Sequence, residues 1–507
     1  MLVPVLALLL QAAPPPPAAP APKPAAAAPA AVEEPVSVTR HKISVKGREL
    51  AYTVTAGRMP LRDTNGEIEA QMFYIAYIAD RAPTAPPRPL MFSFNGGPGS
   101  SSVWLHLGVI GPKRVPMQED GAMPPPPYQL VDNESTWLDQ TDLVFIDPVG
   151  TGYSRAVKPD QARRFFSLQG DIQSVGEFIR LYLARNNRFS SPLFLVGESY
   201  GTTRAAGLSG YLIDKGIALN GVLLVSTILN FQTARFTRGN DLPYQLFLPT
   251  YTATAWYHKK LPADLQKDLK KAMIESEAWA LSGFAEALAK GDRLTAAERK
   301  AAIEKLSRLT GLSPAYLDNA DLRVDQPSFC KELLRDRKLT VGRLDSRFTG
   351  SDATATGERP EFDPSMTAIR PPYTAALNQY VRGDLKYESN LEYFILGGGI
   401  TAPWDFGTPN GYADTSEALR SAMAKNPFMK VYVGAGYYDM ATPHFAAEYT
   451  LAHMSLKPTQ RENIRVHYYE AGHMYYIDTK QLARFRTDVE AFLKGALTAG
   501  AAAAPRP

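Results

Sequence analysis

The segment Leu193-Phe-Leu-Val-Gly-Glu-Ser-Tyr-Gly-Thr does most to restrict how this chain can fold. A short apolar run leads directly into Gly197-Glu198-Ser199-Tyr200-Gly201, and residues 200–215, closed by Gly216, read as a helix. Only a sharp strand-to-helix turn suits that order. It holds the serine strained and exposed, and glycines flank it because side chains there would collide with neighbouring backbone. The five-residue spacing alone also describes an ordinary turn serine; the strand before it and the helix after it carry the reading.

Other segments fit the same plan. The runs 90–94, 143–146 and 222–225 are short, apolar and bounded by Gly, Pro, Asn or Asp, as buried parallel strands are. Leu168, Ile172, Val175, Ile179 and Tyr182 recur at steps of four and three on one helix face. Strand, helix and strand alternate, which predicts a doubly wound, mostly parallel α/β sheet with its ligand site at the carboxyl ends of the strands. Ahead of it, 41–56 and 67–80 read as an opening hairpin turned at Asn65-Gly66. The pattern lapses after Asn230: 261–306 is rich in helix formers and 343–372 is polar and irregular. The expected organisation is a core in two parts, 36–230 and 389–495, around an inserted, largely helical cap, 231–388. The second part holds strands at 429–433 and 464–469 and helices at 443–454 and 481–493.

A nucleophilic serine needs a base, and that base an orienting carboxylate. His473, in Glu470-Ala-Gly-His-Met, follows the last predicted strand, and Asp439 follows the one before it. The chain order Ser199, Asp439, His473 is that of the α/β-hydrolase fold. His444, near a helix start, His453 within that helix and His467 inside a strand are accounted for by structural roles. Phe94-Asn-Gly-Gly-Pro-Gly-Ser-Ser-Ser follows the strand 90–94 and is suited to present bare backbone N–H groups to an oxyanion, with Tyr200 supplying the other donor. It lacks the Gly-Lys-Ser/Thr ending of a nucleotide-binding loop.

Taken together, Asn95-Gly-Gly-Pro-Gly-Ser-Ser-Ser, Asp147-Pro-Val-Gly-Thr-Gly-Tyr-Ser, Gly197-Glu-Ser-Tyr-Gly and Gly472-His-Met resemble the serine carboxypeptidase family, over roughly 85–230 and 390–490. The resemblance implies removal of amino acids from peptide or protein C termini, typically at acidic pH, without metal or organic cofactor. It implies that Gly97 and Tyr200 supply the oxyanion amides and that Asn95 and Glu198 bind the terminal carboxylate. A buried carboxyl facing that carboxylate must be protonated to donate to it, which gives the acid preference a physical basis. Where the family has a second glutamate, before the Gly-Pro that follows the oxyanion loop, this chain has Val109; Lys113, Arg114 and His106 are the nearby cations that would take over. Two other readings stand beside this one. The same triad serves an esterase or acyltransferase, and a hydrolase fold also serves as a binding protein.

The single cysteine, Cys330, excludes an intrachain disulfide and suits export, and the net charge of +4 over 507 residues gives no reason to expect a nucleic-acid partner. Leu2 to Leu10 form an apolar run, so 1–13 reads as a signal peptide and 14–35, almost all alanine and proline, as a disordered linker. Nine apolar residues fall short of the about 20 that a spanning helix takes, so no permanent membrane anchor is expected. The expected location is periplasmic or secreted, and 496–507 is expected to be a disordered tail.

Overall fold

In the computed structural model, residues 35–82 and 84–502 are described, with side chains up to 498. The expected signal peptide and the linker up to residue 34 lie outside the described residues. The chain opens on three antiparallel strands, β1 (Ser37–Val45), β2 (Arg48–Arg62) and β3 (Ile68–Ala79). The run expected as one strand over 41–56 is two, split by Lys46 and Gly47 at φ 51° and 75°. Two successive positive φ values make the tight turn that matches strand twist.

Six parallel strands continue the sheet: β4 (Leu90–Phe94), β5 (Asp142–Ile146), β6 (Leu193–Ser199), β7 (Gly221–Thr227), β8 (Lys430–Gly436) and β9 (Ile464–Tyr469). Their order is β1-β2-β3-β5-β4-β6-β7-β8-β9. Alternate side chains feed two cores. Met91 of β4 joins the core that contains Phe485, Val489 and Leu493 of the C-terminal helix, whereas Leu90 and Phe92 join the one filled by Ile172, Val175 and Ile179. Burial on both faces explains why these strands read as continuous apolar runs. Helix α1 (Leu168–Arg185) carries the second set on the face expected, and Ser167 caps it by accepting from Gly170 N at 3.0 Å. Helix α2 (Tyr200–Asp214) starts where β6 ends.

Because β5 lies on one side of β4 and β6 on the other, the order in which the chain adds strands reverses at β4. The loops leaving β4 and β6 therefore part and leave a crevice at the carboxyl edge of the sheet.

Between β7 and β8 comes the insertion. Helices α3 (Leu242–Tyr257), α4 (Leu269–Ala280), α5 (Gly283–Lys290) and α6 (Ala296–Thr310) enclose a third core with Leu246, Ala272, Phe284 and Leu306, which Met440, Phe445 and Ala446 from beyond β8 also enter. Two expectations need correction. Residues 343–372 are not irregular throughout, because α7 (Pro364–Gly383) begins within them; nor does α7 belong with the cap, since Ile369, Tyr373 and Leu377 are buried in the core of the sheet. Pro371 and Pro372 sit inside this helix, where each removes a backbone donor and crowds the carbonyl four residues back. Helices α8 (Ser416–Lys425), α9 (His444–Ala452) and α10 (Thr479–Ala502) complete the fold. The helix α10 runs to Ala502, through most of the expected tail, and Ala496 is buried. No helix among the described residues is long and apolar enough to cross a membrane.

Candidate active site

Ser199 ends β6 at φ 61° and ψ −131°, a conformation that side-chain-bearing residues rarely adopt. The loop after β4 is pressed against this turn. A Cβ on Gly96 would run into Tyr200 N and lie 2.7 Å from both Glu198 O and Gly201 N, so only glycine permits the approach. Gly97 follows at φ 102°. The segments of both expected oxyanion donors, Gly97 and Tyr200, are thereby brought together.

Asp439 and His473 leave β8 and β9 and meet across them. His473 Nδ1 lies 2.7 Å from Asp439 Oδ2, and both side chains are buried. The carboxylate is fully engaged: Oδ1 accepts from the amides of Ala441 (2.8 Å) and Thr442 (3.0 Å), and Oδ2 also accepts from Thr442 Oγ1 (2.7 Å). Burial by itself would lower the imidazole pKa, but the attraction and hydrogen bond of Asp439 outweigh it and the pKa is raised.

Among the described residues no hydrogen bond joins Ser199 Oγ to His473; the backbone relates them instead. Glu198 and Ser199 pair with Val225 and Thr227 of β7, leaving Ser226 as a bulge, and Ser226 Oγ donates to His473 O at 2.6 Å. On the other side His473 N donates to Leu344 O (2.6 Å), and Met440 N to Arg343 O (3.0 Å).

Asn95 and Glu198 are also brought together. Asn95 Nδ2 donates to Glu198 Oε1 (3.0 Å) and Tyr476 O–H to Oε2 (2.5 Å). Burial pushes the Glu198 carboxyl up to about 7, against the opposing pull of His473 and these hydrogen bonds. Arg204 anchors Asn95 from below: its guanidinium donates to Asn95 O (2.6 Å) and to Asp171 Oδ2 (2.8 Å), and all three side chains are buried. Arg204→Met is expected to cost about 3–5 kcal/mol of stability, because Asp171 would be left buried and unpaired. Denaturant unfolding measures it, and a loss below about 1 kcal/mol would show that the pair contributes little.

Two of the three nearby cations are already committed. His106 is buried, hydrogen-bonded to Tyr77 O–H at 2.7 Å and stacked on Phe145, and burial lowers its pKa to about 3, so it is neutral. Lys113 pairs with Asp132 at 2.5 Å. Arg114 makes no ion pair among the described residues, and its charge reaches Tyr373, a buried hydroxyl without a hydrogen-bond partner. Val109 is wholly buried in the turn His106–Ile110. The rival histidines serve elsewhere: His444 faces Glu277 (3.3 Å), His467 faces Asp488 (3.3 Å), and His453 bonds Tyr449 O (2.7 Å).

Sequence reading missed Tyr476, Arg204, Thr442 and Ser226. Thr442 and Tyr476, three residues beyond Asp439 and His473 respectively, were within reach of a local argument; Arg204 and Ser226 act across long stretches of chain.

Comparison with known proteins gives a consistent picture. The family model described as serine carboxypeptidase matches residues 54–325. Serine carboxypeptidase-like 5 of Arabidopsis thaliana is 31% identical over 137 residues, 26% of this chain and 30% of its own length. Serine carboxypeptidase-like 7 of the same plant is 32% identical over 139 residues, again 26% and 30%. These alignments therefore span under a third of the curated relatives. Among solved structures, the prohormone-processing carboxypeptidase Kex1 of Saccharomyces cerevisiae matches with a TM-score of 0.54 at 17% identity, covering 87% of this chain and 91% of that one. That likeness shows the fold, which is the α/β-hydrolase fold.

Proposed function

Because this chain belongs to the serine carboxypeptidase family, we propose that it releases C-terminal amino acids from peptides through an acyl-enzyme on Ser199. The observation that carries the reading is the buried Glu198 carboxyl beside the nucleophile, tied to Asn95 and half-protonated near neutrality. An esterase has no use for such a group; a terminal carboxylate has.

Ser199 Oγ attacks the scissile carbonyl carbon while His473 Nε2 takes its proton. The carbonyl oxygen becomes an oxyanion held by the amides of Gly97 and Tyr200, the latter at the N-terminus of α2. Asp439 stabilises the imidazolium, which then hands its proton to the leaving amine; water, activated by the same histidine, frees the acyl group. The departing residue's carboxylate receives hydrogen bonds from Asn95 and from protonated Glu198, and Arg114 is the uncommitted cation available in place of the carboxyl missing at Val109. Protein and peptide C termini are the substrates on this reading. The apolar run at Leu2 to Leu10 and the lone, buried Cys330 support export to the periplasm or beyond.

The pH dependence tests it. Below pH 7 Glu198 is mostly protonated and donates to the carboxylate; above its pKa of about 7 it becomes an anion facing an anion. For free C termini kcat/KM is expected to fall about tenfold per pH unit above that point. Glu198→Gln, a neutral donor at every pH, should remove the alkaline fall, and C-terminally amidated peptides should be poor substrates throughout. An alkaline limb that survives in Glu198→Gln would exclude this carboxyl; equal turnover of free and amidated peptides, or turnover of esters alone, would favour an esterase or acyltransferase.

A further inference from the structure

Two guanidinium groups, those of Arg343 and Arg235, have no acidic partner among the described residues. Arg343 is exposed, and among the described residues its side chain makes no hydrogen bond or ion pair. Its backbone is fixed to the catalytic loops, since its carbonyl accepts from Met440 N (3.0 Å) and that of the next residue accepts from His473 N (2.6 Å). Asp363, which the backbone of Arg343 contacts, is engaged as a helix cap: Oδ1 accepts from Arg343 N (3.0 Å), Ser365 N (3.0 Å) and Ser365 Oγ (2.5 Å). Arg235 lies 5.3 Å over the ring of Phe231 and 4.8 Å over that of Phe406, held by aromatic faces and by no acid. Phe231, under Arg235, meets the ring of Tyr200 edge-on at 6.3 Å, which places Arg235 beside the nucleophile's turn; burial and then the charge of Arg343 lower the pKa of Arg235, and Arg343 opposes the protonation of His473. Arg347, a few residues on, is by contrast neutralised by Asp345 and Asp478.

Like charges left unpaired beside one another cost stability, so an anion that visits the site is the natural complement. The sheet order says which part of the substrate brings it. Asn95, on the side of the leaving residue, follows β4, one neighbour of β6; Phe231 and Arg235 follow β7, the neighbour on the opposite flank. On the carboxypeptidase reading, with the leaving residue's carboxylate held on the β4 side, the acyl half is assigned to the β7 side. We propose that Arg343 and Arg235 form an anion-recognising subsite that selects an acidic side chain on the residue whose carbonyl is attacked, so that peptides ending in Asp-X or Glu-X are preferred. This rests on the carboxypeptidase reading above.

The test compares acyl-Glu-Phe with its uncharged isostere acyl-Gln-Phe at pH 6, where the glutamate is ionised, using the purified full chain. The expected kcat/KM ratio is about tenfold in favour of Glu, falling to about one in the Arg235→Gln/Arg343→Gln double variant and reversing toward Lys over Gln in Arg235→Glu/Arg343→Glu. Variants are compared once their unfolding midpoints match the parent. A ratio near one in the parent, or one that persists in the double variant, overturns the subsite. If neither peptide is cleaved, the carboxypeptidase reading fails, and the arginines are then read through inhibition of ester turnover: stronger inhibition by N-acetyl-glutamate α-amide than by N-acetyl-glutamine α-amide supports them, and equal inhibition overturns them.

Discussion

Ser199→Ala is expected to lower kcat by roughly a millionfold while leaving the folded protein as stable as the parent. The chemical loss is complete because no other hydroxyl replaces Oγ at the carbonyl. The structural cost should be small for two reasons particular to this position. Serine and alanine carry the same Cβ, so the strain at φ 61° is unchanged, and although Ser199 occupies the N-cap of α2 its side chain makes no capping hydrogen bond. Single-turnover assays on a peptide with a free C terminus, alongside thermal unfolding, check both halves. Activity within tenfold of the parent would remove Ser199 from the role of nucleophile.

Asp439→Asn is expected to reduce kcat by about 10⁴-fold. The carboxylate accepts four hydrogen bonds and donates none. An asparagine can keep its oxygen toward the amides of Ala441 and Thr442, and its NH₂ group then meets His473 Nδ1 and Thr442 Oγ1. Since NH₂ only donates, His473 must present a bare Nδ1 and carry its proton on Nε2, the nitrogen that has to receive the proton of Ser199. The variant should bind substrate with little change in KM and recover activity at alkaline pH, where hydroxide substitutes for the missing base. A kcat within tenfold of the parent would mean that His473 is oriented by other contacts, with Thr442 Oγ1, 3.3 Å from Nδ1, the first to suspect.

The residues that carry these two predictions could be singled out as candidates because each sits in a short strand-end segment whose chemistry is local: an apolar run, a glycine-rich turn, then a polar group. The same locality made β4 to β9 and α1 readable. What failed was of two kinds. Some signals were present and passed over, as with Lys46-Gly47, a two-residue turn hidden inside an alternating run. Others had no local signature. Arg204 supports Asn95 from more than a hundred residues away, and Ser226 reaches His473 from still farther; contacts of that separation follow from sheet order, which the pattern of one chain does not specify. Similarly, Lys113, Arg114 and His106 looked equivalent by proximity, and only burial and pairing separate them.

The cap's return strand of chain is stitched to the catalytic loops at Leu344 and Arg343, through the amides of His473 and Met440. For protein engineering this sets a graft boundary. A cap exchanged between relatives at β7 and β8 would carry away two backbone acceptors that hold the base and the residue after its carboxylate, so such chimaeras should lose turnover even when they fold and bind. Exchange inside residues 242–339, with 340–346 retained, leaves both acceptors in place, provided the new helices also restore the packing on Met440, Phe445 and Ala446 and the hydrogen bonds that Thr254 and His258 make to Ser346.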